Sequence, residues 1–197
     1  MIRFDKFTIK AQEAIADAQA AAAERSQQFI EGEHLLYALL RQEGGTVPSI
    51  LNKMGVSPEA VAARVEEELE KFPRVTGAVQ VQISPNLSQV FQQALSEADS
   101  MKDEYISTEH LLLALAEERK GKAGEILRSF GVTRDHLLRA LAEVRGSQRV
   151  TDPEAESRYQ ALERFGRDLT ELARKGKLDP VIGRDAEIRR VMQVLSR

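Results

Sequence analysis

Most of this chain is one unit of sequence used twice. Glu33-His34-Leu35-Leu36 returns as Glu109-His110-Leu111-Leu112, an offset of 76 residues (110 − 34). The offset holds without a gap on both sides. Thr8 aligns with Ser84, Ala18 with Ala94, Ile30 with Ile106, Ile50-Leu51 with Ile126-Leu127, and Gly55-Val56 with Gly131-Val132. Solenoid arrays repeat every ~20–50 residues and need several copies to bury a core. Two long copies instead imply a single domain whose similar halves close on each other.

The periodicity inside each unit is helical. Thr8 is a cap-type residue before Ala11, Ala14, Ile15, Ala18 and Ala22, spaced by three and four. Ser84-Pro85 places a cap and an N1 proline before Leu87, Val90, Phe91, Ala94, Leu95, Ala98 and Met101. One helix is alanine-rich where its counterpart is bulky, which suggests close packing of small against large. A second helix begins at each Glu-His-Leu-Leu, a short third ends at Gly55 or Gly131, and a fourth starts at Ser57-Pro58 or Thr133-Arg134. With aromatics at 5% and no Trp, the core is left to Ala, Leu, Val and Ile. The expected fold is therefore all-α: two pseudo-symmetric four-helix repeats, about 3–71 and 79–146, packed as one eight-helix domain over 1–146. Val79 to Ile83 alternates like a strand, but with no partner evident it reads as an extended connector. From Ser147 to Ser157 the chain is polar and contains Pro153, so a linker is expected over 147–166. Two short helical stretches follow, then the loop Leu178-Asp179-Pro180-Val181-Ile182-Gly183-Arg184. A last helix from Asp185 carries Ile188, Val191, Met192 and Leu195 on one side, and the chain looks cut short of a second domain.

Several chemistries are disfavoured by the residues present. A net charge of −3 gives no general attraction to phosphate backbones or anionic lipid. There is no Cys, hence no disulfide, thiolate metal site or Cys nucleophile. The N-terminus has no signal-peptide core and no run is long enough to span a bilayer, so a soluble cytoplasmic chain is expected. His34 and His110 are repeat-equivalent but lack further ligands nearby, and no metal is assigned. Glu33 and Glu109 sit in first helical turns, where a carboxylate suits the macrodipole, and no nucleophile accompanies them. Neither Gly121-Lys122 nor Gly176-Lys177 makes a phosphate loop, because Ala123 and Leu178 stand where Ser or Thr is needed. The basic stretch Arg174-Lys175-Gly176-Lys177 is flanked by Glu171 and Asp179 and reads as a solvated helix end.

The doubled unit, with Phe7-Thr8 leading an alanine-rich helix and Glu-His-Leu-Leu at both centres, resembles the Clp N-terminal repeat domain. Tyr159-x-Ala-Leu-Glu-x-Phe-Gly-x-Asp-Leu-Thr, followed by Gly176-Lys177-Leu178-Asp179-Pro180-Val181-Ile182-Gly183-Arg184-Asp185, is similar to the start of the first AAA+ module of ClpB-type disaggregase chaperones. On that resemblance 167–197 begins an α/β nucleotide-binding domain. The resemblance implies a homohexameric ATPase, using ATP and Mg in its full length, with a coiled-coil insertion in its motor. It would thread stress-aggregated polypeptide through a pore and work with the Hsp70 system. It also implies that this N-terminal region needs no cofactor and takes client segments in a groove bordered by Thr8, Asp103 and Glu109. Phe91 and Tyr105 would form the groove's apolar floor. Val181 and Ile182 would contact adenine. The alternative is the adaptor-docking module of a protease-coupled Clp unfoldase.

Overall fold

Two hydroxyls start the long helices of the two halves. Thr8 and Ser84 accept the backbone N–H of Ala11 and Leu87 at 3.2 and 2.9 Å, relieving donors that a helix start leaves unpaired. The computed structural model describes residues 4–76, 80–145, 149–156, 173, 176 and 183–195. They fall into two compact units, Met1–Ala161 and Leu162–Arg197.

In the first unit, the 3-10 turn Phe4–Lys6 precedes α1 (Ile9–Glu24), β1 (Phe29–Ile30), α2 (Gly32–Arg41), α3 (Thr46–Lys53) and α4 (Pro58–Leu69). The second half gives β2 (Gln82–Ile83), α5 (Pro85–Met101), α6 (Thr108–Glu117), α7 (Lys122–Ser129) and α8 (Arg134–Arg145). Gly55 and Gly131 follow α3 and α7 with φ of +74° and +76°, the left-handed ends expected of them. Leu35, Leu36, Leu39, Ile50 and Leu51 of one half share a single core with Leu111, Leu112, Leu115, Ile126 and Leu127 of the other.

Three expectations are corrected. The alanine face of α1 does not meet the bulky face of α5; α1 packs mainly on α2, and α5 on α6. The buried alanines of α1 let the Leu-rich α2 approach it closely. The segment ending at Ile83 does have a partner: β2 pairs in parallel with β1, with Phe29 opposite Gln82 and Ile30 opposite Ile83. Its twin is the parallel bridge between Phe7 and Ile106, one offset away. Each strand is thus completed by the other half of the chain, a pairing that local periodicity cannot report.

The third correction concerns the expected linker. Its described residues, 149–156, lie on the domain: Val150, Ala155 and Glu156 are buried, and Pro153 O accepts the N–H of Ile9 at 2.9 Å. A polar composition hid a segment that is held by main-chain bonds rather than by apolar bulk.

The second unit contributes α9 (Asp185–Leu195), on which Ile188, Val191 and Met192 are exposed. Tyr159 to Thr170, Val181 and Ile182 lie outside the described residues. Among the described residues no helix is long and apolar enough to cross a membrane.

Candidate functional site

The doubled motif builds the same device twice. At the start of α2, the Glu31 side chain accepts the N–H of His34, while His34 Nδ1 accepts the N–H of Glu31 at 3.0 Å. At α6, Ser107 and His110 exchange the same bonds, with Nδ1 accepting at 2.9 Å. This is a capping box with histidine in the place usually held by Glu or Gln. Each outer nitrogen then reaches inward, His34 Nε2 to Gln27 Oε1 at 2.6 Å and His110 Nε2 to Asp103 Oδ2 at 3.1 Å. Gln27 and Asp103 are the same position of the repeat. Burial, aided by the nearby Arg25 charge, pushes His34 down to about 4, so it stays neutral at pH 7.

In the second half the residues expected to border a groove are brought together, but they are covered. Thr8, Phe91 and Glu109 are at most 2% exposed and Asp103 8%, while Tyr105 is half-buried with Lys6 over its ring. Arg145 Nη2 lies 2.5 Å from both Asp103 oxygens, and Nη1 lies 3.5 Å from Glu109 Oε1. Burial pushes Asp103 up, but donors from His110, Arg145 and the Val150 N–H outweigh it and hold the carboxyl at about 2. Residues 149–156 then close the site. Val150 N donates to Asp103 Oδ1 at 2.8 Å, and Val150 O accepts from Glu104 N at 2.9 Å. Glu156 Oε1 accepts both the N–H and the hydroxyl of Thr108 at 2.7 Å. The open groove expected at Thr8, Asp103 and Glu109 is therefore filled by the chain's own continuation.

Shifting back by 76 residues gives the twin of that site, and it is open. Ser84, Gln27, Phe29 and Glu33 stand where Thr8, Asp103, Tyr105 and Glu109 stand in the second half. A cavity of about 580 Å³ opens there, with Phe29, Phe72, Pro73 and Val75 as its apolar wall and Glu31 and Glu33 among its polar residues. Phe29 and Val75 are 42% and 41% exposed, so much of that apolar surface faces water. Glu33 crosses between halves and accepts the N–H groups of Lys122 and Ala123 at the start of α7. Behind it, burial and the adjacent Glu33 charge raise Glu118 to about 7. Burial also raises Glu31, against a hydrogen bond from Ser84.

Three substitutions between the copies explain why only one seat is closed. The hydroxyl of Thr108, which holds Glu156, is absent at Gly32. The N–H of Ile9, which holds Pro153, is absent at Pro85. Asp103, which receives Val150 N, becomes Gln27, whose amide is spent on His34 and on Leu69 O. Sequence reasoning missed the open pocket because it weighed each motif separately; superposing the second-half site on the first half by the offset would have found it.

The fold comparisons agree with this doubled architecture. Residues 6–130 match the Clp repeat (R) N-terminal domain. The chain belongs to that family. Among curated relatives, the chaperone protein ClpB of Nitratidesulfovibrio vulgaris is 50% identical over 197 residues, covering 98% of this chain and 23% of that protein. This chain thus spans under a quarter of that relative's length. The Hsp104 N-terminal domain of Candida albicans superposes with a TM-score of 0.68 at 24% identity, covering 77% of this chain and 99% of that one. A ClpV N-domain solved in complex with a VipB peptide superposes with a TM-score of 0.56 at 19% identity, covering 70% of this chain and 86% of that one. At these identities the two structures speak for the fold alone.

The helix start at Gly121-Lys122 does not suit the phosphates of ATP. Lys122 follows Gly121 at a helix start, but its N–H and that of Ala123 already hold Glu33, and its ammonium holds Glu125. A carboxylate sits where a phosphate would have to approach.

Proposed function

We propose that this chain is the N-terminal client-binding region of an ATP-dependent protein disaggregase chaperone, and that the first-half pocket is where it takes extended, apolar polypeptide. The observation that carries this reading is the water-facing apolar wall of Phe29, Phe72, Pro73 and Val75 at a site whose twin is filled by a segment of the same chain. Concave, mostly apolar pockets with a few polar groups are the usual shape of binding sites. The likeness to ClpB chaperones at 50% identity supports the wider role. A ClpV N-domain of this fold has been solved with a VipB peptide, in keeping with peptide binding by such a fold. In this reading ATP and Mg act in motor domains of the full-length protein, which assembles as a cytoplasmic homohexamer and works with the Hsp70 system on aggregated clients. This region carries out no chemistry itself. It supplies a passive hold on loosened chains.

The test is an NMR titration of the chain with a permanently unfolded, carboxymethylated protein. Amide shifts are expected around Phe29, Glu33, Val75 and Lys122, with weak affinity. Phe29→Ser, which removes a half-exposed ring, is expected to weaken binding by about tenfold, the equivalent of about 1.4 kcal/mol. Binding unaffected by Phe29→Ser, or shifts confined to surfaces away from the pocket, would overturn the reading.

A further inference from the structure

We propose that residues 149–156 form a displaceable strap that holds the second-half seat closed until an unfolded polypeptide competes it off. This rests on the client-binding reading above and extends it from one seat to two.

Three of the bonds that hold the strap are made by its backbone. Val150 N donates to Asp103, Val150 O accepts from Glu104 N, and Pro153 O accepts from Ile9 N. All three use the strap's main chain, so its identity matters little to them. The side chains it buries are small: Val150 at 0% exposed and Ala155 at 3%. A client segment with one aliphatic side chain can offer the same backbone donor and acceptors to Asp103, Glu104 and Ile9.

Besides Arg149, which donates to Lys102 O, the strap has a second side-chain anchor, and that one is poorly matched to its surroundings. Glu156 is 1% exposed and its Oε2 has no hydrogen-bond partner. The charge beside it is another carboxylate, Glu109 of α6, whose two oxygens also lack hydrogen bonds. The cation of the site, Arg145 of α8, is 3.5 Å from Glu109 and is engaged by Asp103, which His110 also contacts. Burial and the Glu109 charge raise Glu156 to about 7, against hydrogen bonds from Thr8 and Thr108. Docking the strap therefore takes up a proton. The hold is firmest below the ordinary carboxylate range, weakens as pH rises from there, and levels off above about 7. Above about 7 the strap stays in place by its main-chain bonds, the Thr108 bonds to Glu156 and a buried valine, against the repulsion of two carboxylates.

The experiment uses the 197-residue chain, with amide hydrogen exchange read by NMR at pH 7.5 and the carboxymethylated protein as probe. At saturating probe, Val150 N–H is expected to lose protection while the amides of Ile9, Glu104 and Thr108 keep theirs, now bonded to probe. Val150→Asp removes the buried aliphatic contact and is expected to lower by about tenfold the probe concentration at which the second probe per chain binds. Glu156→Gln removes the repulsion and is expected to raise Val150 protection in the free chain by about tenfold or more and to raise by a similar factor the probe concentration at which the second probe binds. Far-UV circular dichroism verifies that both variants are folded, and the opposite signs expected of them guard against a general loss of structure. Shifts at Phe29 and Val75 with Val150 still protected, and one probe per chain in Val150→Asp, overturn the strap and leave the open pocket standing. No shift at either place overturns both.

Discussion

Arg145→Met is the sharpest perturbation of the second-half site. The Arg145 side chain is 5% exposed, and it is the cation facing both Asp103 and Glu109. Methionine fills most of the same volume, so lost packing is small and the electrostatic effect dominates. Breaking a buried pair by removing one partner costs about 3–5 kcal/mol, because the remaining charge is stranded. Asp103 keeps hydrogen bonds from His110 Nε2 at 3.1 Å and Val150 N at 2.8 Å, so the lower end, about 3 kcal/mol, is expected. For a chain of this length that corresponds to a melting temperature lower by about 6–12 °C. Urea unfolding at 25 °C, at pH 7 and pH 4, measures it. In the native protein Asp103 is held at about 2, so its stabilising effect is complete above its unfolded value and is lost as pH falls through 2. Without Arg145 the carboxyl rises and can take up a proton near pH 4, so the gap between variant and native protein should narrow there. A variant within about 1 kcal/mol of the native protein at pH 7 would refute the reasoning, since that is the size of an exposed, screened pair. So would a gap of equal size at both pH values.

Two further substitutions probe the first-half seat. Glu33→Ala removes the acceptor for the N–H groups of Lys122 and Ala123, and is expected to lower stability by about 2 kcal/mol, with faster exchange at those two amides. Unchanged exchange there would show that the bond between halves contributes nothing. Glu118 is raised to about 7 mainly by burial, so its folded form favours the proton and native stability should fall as pH rises from about 4.5 to 7. Glu118→Gln should flatten that part of the pH–stability curve and stabilise the chain at pH 8; a curve of unchanged slope would count against the assignment.

Much of the fold was legible because helices are local. Spacing of three and four residues, the cap residues Thr8 and Ser84, and the terminal glycines Gly55 and Gly131 each act within a few positions of themselves, and the structure honours them. The repeat carried one non-local fact as well: two similar halves share a core. The parallel pairing of Phe29–Ile30 with Gln82–Ile83 was not legible, since its two members lie in different copies and each is only two residues long.

The candidate site divides in the same way. Its doubled Glu-His pair could be picked from the chain by the repeat, while Asp103, Thr8 and Phe91 came in through the resemblance to the Clp repeat domain. Whether they form an open seat or a closed one was decided by single atoms elsewhere: the hydroxyl of Thr108, the N–H of Ile9 and a carboxylate at Asp103, each missing from its counterpart at Gly32, Pro85 and Gln27. From the sequence alone came two equal halves. Only the folded chain, by bringing residues 149–156 back onto one of them, made the halves unequal, because a main-chain hydrogen bond depends on where two distant segments meet and leaves almost no trace in the pattern of either.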